Sequence, residues 1–181
     1  MINFRIIIIL LFICNLIQSQ VKNDTIQYLD LSHKKLKRIP DLSNKIIKKL
    51  NLSYNKIDSL DFTKLPKGLE KLNVSHNFLM KVFILLPDLY FTKFSKLKEL
   101  NLSYNKLKGV SIATNIRKLK LNNNDIYNVD LDTQSIEYLD ISNNKNLSNI
   151  VSFDPKPIDT LKRKNILNNK HLIDRSSIPM K

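Results

Sequence analysis

The sequence predicts an α/β solenoid, with a curved parallel β-sheet on its concave side and short extended, 3₁₀ or helical returns on its convex side. Three observations predict it. One apolar pattern recurs in register six times along the chain. Its fourth and sixth positions alternate as the residues of a short strand do, and an asparagine closes most copies at the ninth position.

The copies begin at residues 26, 47, 69, 97, 116 and 136. The second runs through Ile47, Leu50, Leu52, Asn55 and Ile57. The third follows with Leu69, Leu72, Val74, Asn77 and Leu79, and the fourth with Leu97, Leu100, Leu102, Asn105 and Leu107. The fifth has Ile116, Leu119, Leu121, Asn124 and Ile126; the sixth has Ile136, Leu139, Ile141 and Asn144, with one extra residue before Leu147. The first copy, Ile26 through Leu29 and Leu31 to Leu36, carries Lys34 in place of the asparagine, and a seventh around Leu161 to Leu172 is degenerate.

Alternating leucines put one apolar face on each short strand, and that face is buried only when another coil stacks on it. The asparagine sits where the chain turns away, so its amide is expected to satisfy buried backbone groups of the turn. Most repeat periods are too short for a full helical return. An apolar pair at positions 14 and 16 (Leu60 and Phe62, Val82 and Ile84, Val110 and Ile112, Val129 and Leu131) points instead to extended or 3₁₀ returns. The longer third repeat, with Pro87, Tyr90, Phe91 and Phe94, has room for a helical turn.

The pattern resembles the leucine-rich-repeat family, L-x-x-L-x-L-x-x-N-x-L, over about residues 26 to 150. The resemblance implies a solenoid that recognises proteins. The short periods and the Leu65, Pro66, Gly68, Leu69 stretch are similar to compact repeats of secreted bacterial effectors, but there is no room for the ligase domain some of those carry.

A chain of 181 residues with 43% hydrophobic and 25% charged residues is an ordinary globular composition. Only two glycines argue against a fold built on tight hairpins or phosphate-cradling loops. A net charge of +14 favours acidic partners, or reflects a lysine-, asparagine- and isoleucine-rich composition. The lysines are spread along the chain rather than gathered in an arm, so no specific nucleic-acid partner is expected. The single cysteine, Cys14, leaves the body without disulfides or thiol metal sites.

Residues 1–20 read as an export signal: Arg5, then an apolar run from Ile6 to Ile13 resuming at Leu16 and Ile17, with Ser19 near the cleavage region. Asn15 interrupts the run before it reaches the ~18 residues of a spanning helix. A retained N-terminal membrane anchor is the alternative. Residues 21–154 form the repeat domain, and 155–181 a degenerate last repeat with a basic tail.

Positions 2, 3, 5, 7 and 8 are expected to point out from the concave sheet. Position 8 reads His33, Tyr54, His76, Tyr104, Asn123 and Asn143. With the cations Lys49, Lys71, Arg117, Lys118 and Lys120 around them, Tyr54, His76 and Tyr104 form the candidate partner site. Its expected ligand is a protein, with acidic character favoured by charge.

Catalysis has little support. His33 and His76 stand two repeats apart, ~10 Å, too far to share a metal ion. No cysteine nucleophile, G-x-S-x-G or Walker loop occurs, so neither enzyme nor cofactor is expected. Glycosylation sequons fall at Asn23, Asn51, Asn73, Asn101 and Asn146. Three of them, Asn51, Asn73 and Asn101, stand in one row at ~4.8 Å steps, too close for three glycans. The reading is a secreted, non-enzymatic recognition protein; a surface-attached scaffold or a polyanion binder is the alternative.

Overall fold

A computed structural model describes residues 24–84, 95–112, 116–131, 136–152 and 163–165. The export-signal segment, Asn23, the 87–94 stretch expected to hold a helical turn, and most of 155–181 lie outside those residues.

Each repeat enters the fold as a short strand. Numbered in chain order, β1 (Ile26–Asp30), β2 (Ile47–Asn51), β3 (Lys71–Asn73), β5 (Glu99–Asn101), β7 (Lys118–Lys120), β9 (Tyr138–Asp140) and β11 (Arg163–Asn165) form one seven-stranded sheet, adjacent in that order. Every pairing is parallel and in repeat register: Leu50 faces Leu72, Leu72 faces Leu100, Leu100 faces Leu119, and Leu119 faces Leu139. The long third repeat therefore absorbs its extra residues outside the sheet without shifting register. In β11, Lys164 takes the place opposite Leu139, the alignment a seventh copy starting at Leu161 requires.

From the third repeat on, the described returns include short β-strands. β4 (Lys81–Ile84), β6 (Gly109–Ile112), β8 (Asn128–Leu131) and β10 (Asn149–Ser152) form a second parallel sheet, in the order β10-β8-β6-β4. Position 14 of the pattern lines up across it, Val82 with Val110 and Val110 with Val129. Helix among the described residues is confined to a 3₁₀ turn, Phe62–Lys64, in the second repeat. Asp61 caps that turn by accepting a hydrogen bond from the Thr63 N–H, and Leu65 ends it in an extended conformation that the following Pro66 favours. Gly68 then turns the chain at φ +72°, where any Cβ would be strained.

The core lies between the two sheets. Positions 4, 6 and 11 fill it from one side (Leu50, Leu52, Ile57 and their equivalents) and positions 14 and 16 from the other (Val110, Ile112, Val129, Leu131). Each such side chain taken from water contributes roughly 1.5–3 kcal/mol before entropy is counted. The first coil differs: Ile26, Leu29, Leu31 and Leu36 are only half-buried, because among the described residues no coil stacks on their far side.

The position-9 asparagines form a continuous ladder at the end of the strands. Asn77 is representative: its Oδ1 accepts from the Ile57 N–H at 2.9 Å, and its Nδ2 donates to the carbonyls of Leu52, Val74 and Ser75. Asn55, Asn105, Asn124 and Asn144 repeat this pattern, each accepting from the coil before it. In the first coil Lys34 has no carboxamide to offer, and its own N–H is instead capped by Asn55.

Candidate functional site

The segment from position 5 to position 9 sets the rim of the outward sheet face. A side-chain oxygen at position 5 accepts from the N–H two residues on: Asp30 from Ser32, Asn51 from Ser53, Asn73 from Ser75, Asn101 from Ser103 and Asp140 from Ser142. These Asx turns bend the chain inward. They also correct two expectations. The position-7 serines do not point outward; Ser53, Ser75, Ser103 and Ser142 are buried within the turn. Nor is Asn101 a free solvent-facing amide, since its Oδ1 holds both the N–H and the hydroxyl of Ser103.

Position 8 then has to reverse direction, and it does so in the left-handed region. His33, Tyr54, His76, Tyr104, Asn123 and Asn143 all have φ between 54° and 58°. Asparagine and histidine tolerate this conformation better than tyrosine, for which it costs about 1–2 kcal/mol. Each of these N–H groups that has a following coil bonds its position-7 carbonyl: Tyr54 to Ser75, His76 to Ser103, Tyr104 to Asn122. Held in step, the four rings stack. Centroids are 4.5 Å apart for His33–Tyr54, 4.0 Å for Tyr54–His76 and 4.2 Å for His76–Tyr104, with planes within 10°. Such contacts each contribute about 0.5–1.5 kcal/mol, which offsets the backbone strain. Burial, and secondarily the His33 charge, hold the His76 imidazole below the usual histidine range.

The stack changes what the rings can offer a ligand. Tyr54 and His76 have both faces covered by neighbouring rings, so they present edges: hydroxyls and ring nitrogens in a row, with the rims of Tyr54 and Tyr104 about half exposed.

Beside this row, on the strands, lies a depression of about 310 Å³ whose lining includes Tyr28, Lys49, Lys71, Glu99, Lys118 and Lys120. Its centre is an ion-pair cluster. Glu99 meets the Lys71 ammonium at 2.8 Å and that of Lys118 at 3.4 Å. The hydrogen bond from Lys71, then the attraction of both ammonium groups, hold the Glu99 carboxyl below the usual range despite partial burial. Lys49 and Lys120 have no carboxylate within 4.0 Å among the described residues, so they are the cations left over for a ligand.

The structure thus brings Lys49, Lys71, Lys118 and Lys120 into one depression and sets Tyr54, His76 and Tyr104 in one ladder. Arg117 lies apart from the lining residues, paired with Glu137 at 3.7 Å. Sequence reasoning missed Glu99 and Tyr28 in the lining and His33 as the fourth ring. Reading position 3 down the repeats (Tyr28, Lys49, Lys71, Glu99, Lys118, Tyr138) would have found the first two. Of the sequons, Asn51, Asn73 and Asn101 line the depression, with Asn73 donating to Asn51 and Asn51 to Asp30.

Among the described residues no cluster of metal-ligating side chains occurs, and no helix is long and apolar enough to cross a membrane. Two family models match, both described as leucine-rich repeats, at residues 96–114 and 43–60. Among curated proteins the chain is similar to Tsukushi-A of Xenopus laevis, 38% identical over 56% of this chain and 32% of that protein. It is similar also to Osteomodulin of Bos taurus, 35% identical over 61% of this chain and 26% of that protein. A third relative is the Putative leucine-rich repeat protein R380 of Acanthamoeba polyphaga mimivirus, 34% identical over 55% of this chain and 23% of that protein. The chain spans about a third or less of the length of these relatives.

Proposed function

We propose that the chain, which matches leucine-rich-repeat models at residues 96–114 and 43–60, is a non-enzymatic recognition scaffold that binds a protein partner on the outward, concave face of its seven-stranded sheet. The observation that carries the reading is the combination, on one face, of a 310 Å³ depression, two lysines with no ion pair among the described residues and a half-exposed row of ring edges. Rings locked in a stack lose little further freedom when a partner arrives, which is how anchor residues gain affinity. The matches to leucine-rich-repeat models and the similarity to Tsukushi-A and Osteomodulin support the same class of function. The segment at 1–20 supports export, with the folded repeats working outside the cell or held at its surface by that segment.

The test is the double variant Tyr54→Ala, Tyr104→Ala. A partner retained by the immobilised chain is identified, purified and titrated against both proteins. Affinity is expected to fall more than tenfold, the loss of two anchors at ~1–2 kcal/mol each, while the fold persists because both rings stand outside the core. An unchanged affinity with cooperative melting retained would move the site to another surface.

A further inference from the structure

The depression is not uniformly cationic, and its unevenness specifies a ligand. At its centre the single carboxylate of Glu99 bridges the ammonium groups of Lys71 and Lys118, while Lys49 in β2 and Lys120 in β7, toward opposite ends, have no carboxylate within 4.0 Å among the described residues. Asp140, opposite Lys120 in β9, turns its Oδ1 to the Ser142 N–H and hydroxyl. From β2 to β7 there are three strand intervals. At ~4.8 Å each, with the two-residue offset between positions 3 and 5, the two lysines lie about 16 Å apart along a diagonal of the sheet.

An extended peptide advances ~3.3–3.4 Å per residue and returns to the same face every second residue. Carboxylates at residues i and i+4 are thus ~13.5 Å apart on one face, within reach of both lysine stems. A carboxylate at i+2 would be placed over the Lys71–Glu99 pair, where the ammonium is already engaged and Glu99 is a like charge. Resting on the concave-face reading above, we infer that the depression binds an extended peptide segment with acidic residues four apart, one held by Lys49 and the other by Lys120. The ladder favours a peptide over other anions. Sugars and nucleobases gain affinity by lying on ring faces, and the inner rings of the stack have none uncovered. Hydroxyl and imidazole edges spaced 4.0–4.5 Å apart suit the alternating donors and acceptors of a peptide backbone.

Two capped pentapeptides separate the outcomes, one with glutamate at its first and fifth positions and the other at its first and third, threonine elsewhere. Titrated into the full chain by NMR, the first is expected to bind at least threefold tighter. Lys49→Ala with Lys120→Ala should erase that preference. Glu99→Gln should raise the affinity of the second peptide by freeing Lys71 and Lys118. Equal affinities for the two spacings, or indifference to the lysine pair, overturn the inference. If Tyr54→Ala, Tyr104→Ala still weakens the peptides in that case, the concave-face reading survives; if it does not, both fall. A heparin-derived hexasaccharide that binds as tightly, with the same dependence on Lys49 and Lys120, would replace the peptide by a glycan.

Discussion

The asparagine ladder and the ring ladder are one residue apart in the second, third and fourth repeats, yet they behave as opposites. Asn77 uses its whole carboxamide inward, accepting from one coil and donating to carbonyls of two. His76, beside it, turns through the left-handed region and leaves its ring edge on the surface. The first row is dictated by the fold, since no other side chain matches that set of turn groups. The second is discretionary. Position 8 needs only a residue that tolerates positive φ, and Asn123 and Asn143 meet that need without rings. Four consecutive rings in the first four coils are therefore not required by the turn they occupy.

The largest expected effect comes from the core beneath both ladders. Leu102 has no exposed surface, and Leu102→Asp places a carboxylate there without a partner, costing several kcal/mol. The variant should lose cooperative melting by circular dichroism; a wild-type transition would mean that the register is wrong and that neither ladder exists as described.

Smaller, and aimed at the contrast itself, is a pair of substitutions four residues apart. Asn77→Leu orphans the buried Ile57 N–H and removes one of the donors to each of three carbonyls, and should cost about 1–3 kcal/mol in urea unfolding. Asn73→Leu removes the Ser75 turn bond and one amide contact at a half-buried site, for about 1 kcal/mol or less. Equal midpoint shifts would show that the position-9 row is no more required than the position-5 turn residues.

The smallest effect is a pH dependence in the ring ladder. His76 resists its proton when folded, chiefly through burial, so the unfolded chain binds protons more readily over that range. The neutral imidazole therefore contributes stability that is complete above about pH 6.5 and is lost as pH falls through the lower folded value. Melting temperature should decline modestly from pH 7.5 to 5.5. His76→Asn, which keeps a residue suited to positive φ, should flatten that decline; an identical slope in both proteins would show that the stack does not bury the ring enough to matter.

Much of this was legible in residue order. Asn55, Asn77, Asn105, Asn124 and Asn144 declared a turn ladder because a short carboxamide offers two donors and an acceptor at such a place. Val110 with Ile112 and Val129 with Leu131 pointed to extended or 3₁₀ returns, and extended ones formed there. What escaped was contact between coils. His33 became a fourth ring because its coil is bonded in step with the next, its N–H to the Ser53 carbonyl. Ser53 and its equivalents looked solvent-facing by alternation, but the strand ends at position 5 and the Asx turn rotates them inward.

The order of residues by itself determined the repeat, its period, the inward and outward positions of each strand and the place of every turn, because these depend on neighbours a few residues away. Tertiary structure alone decided which lysines stay free and what the rings expose. Glu99 is 28 residues from Lys71 and 19 from Lys118 in sequence, yet stacking puts all three at one height on adjacent strands. Pairing charges and covering ring faces are properties of the distance between coils, and that distance is set only when the core closes.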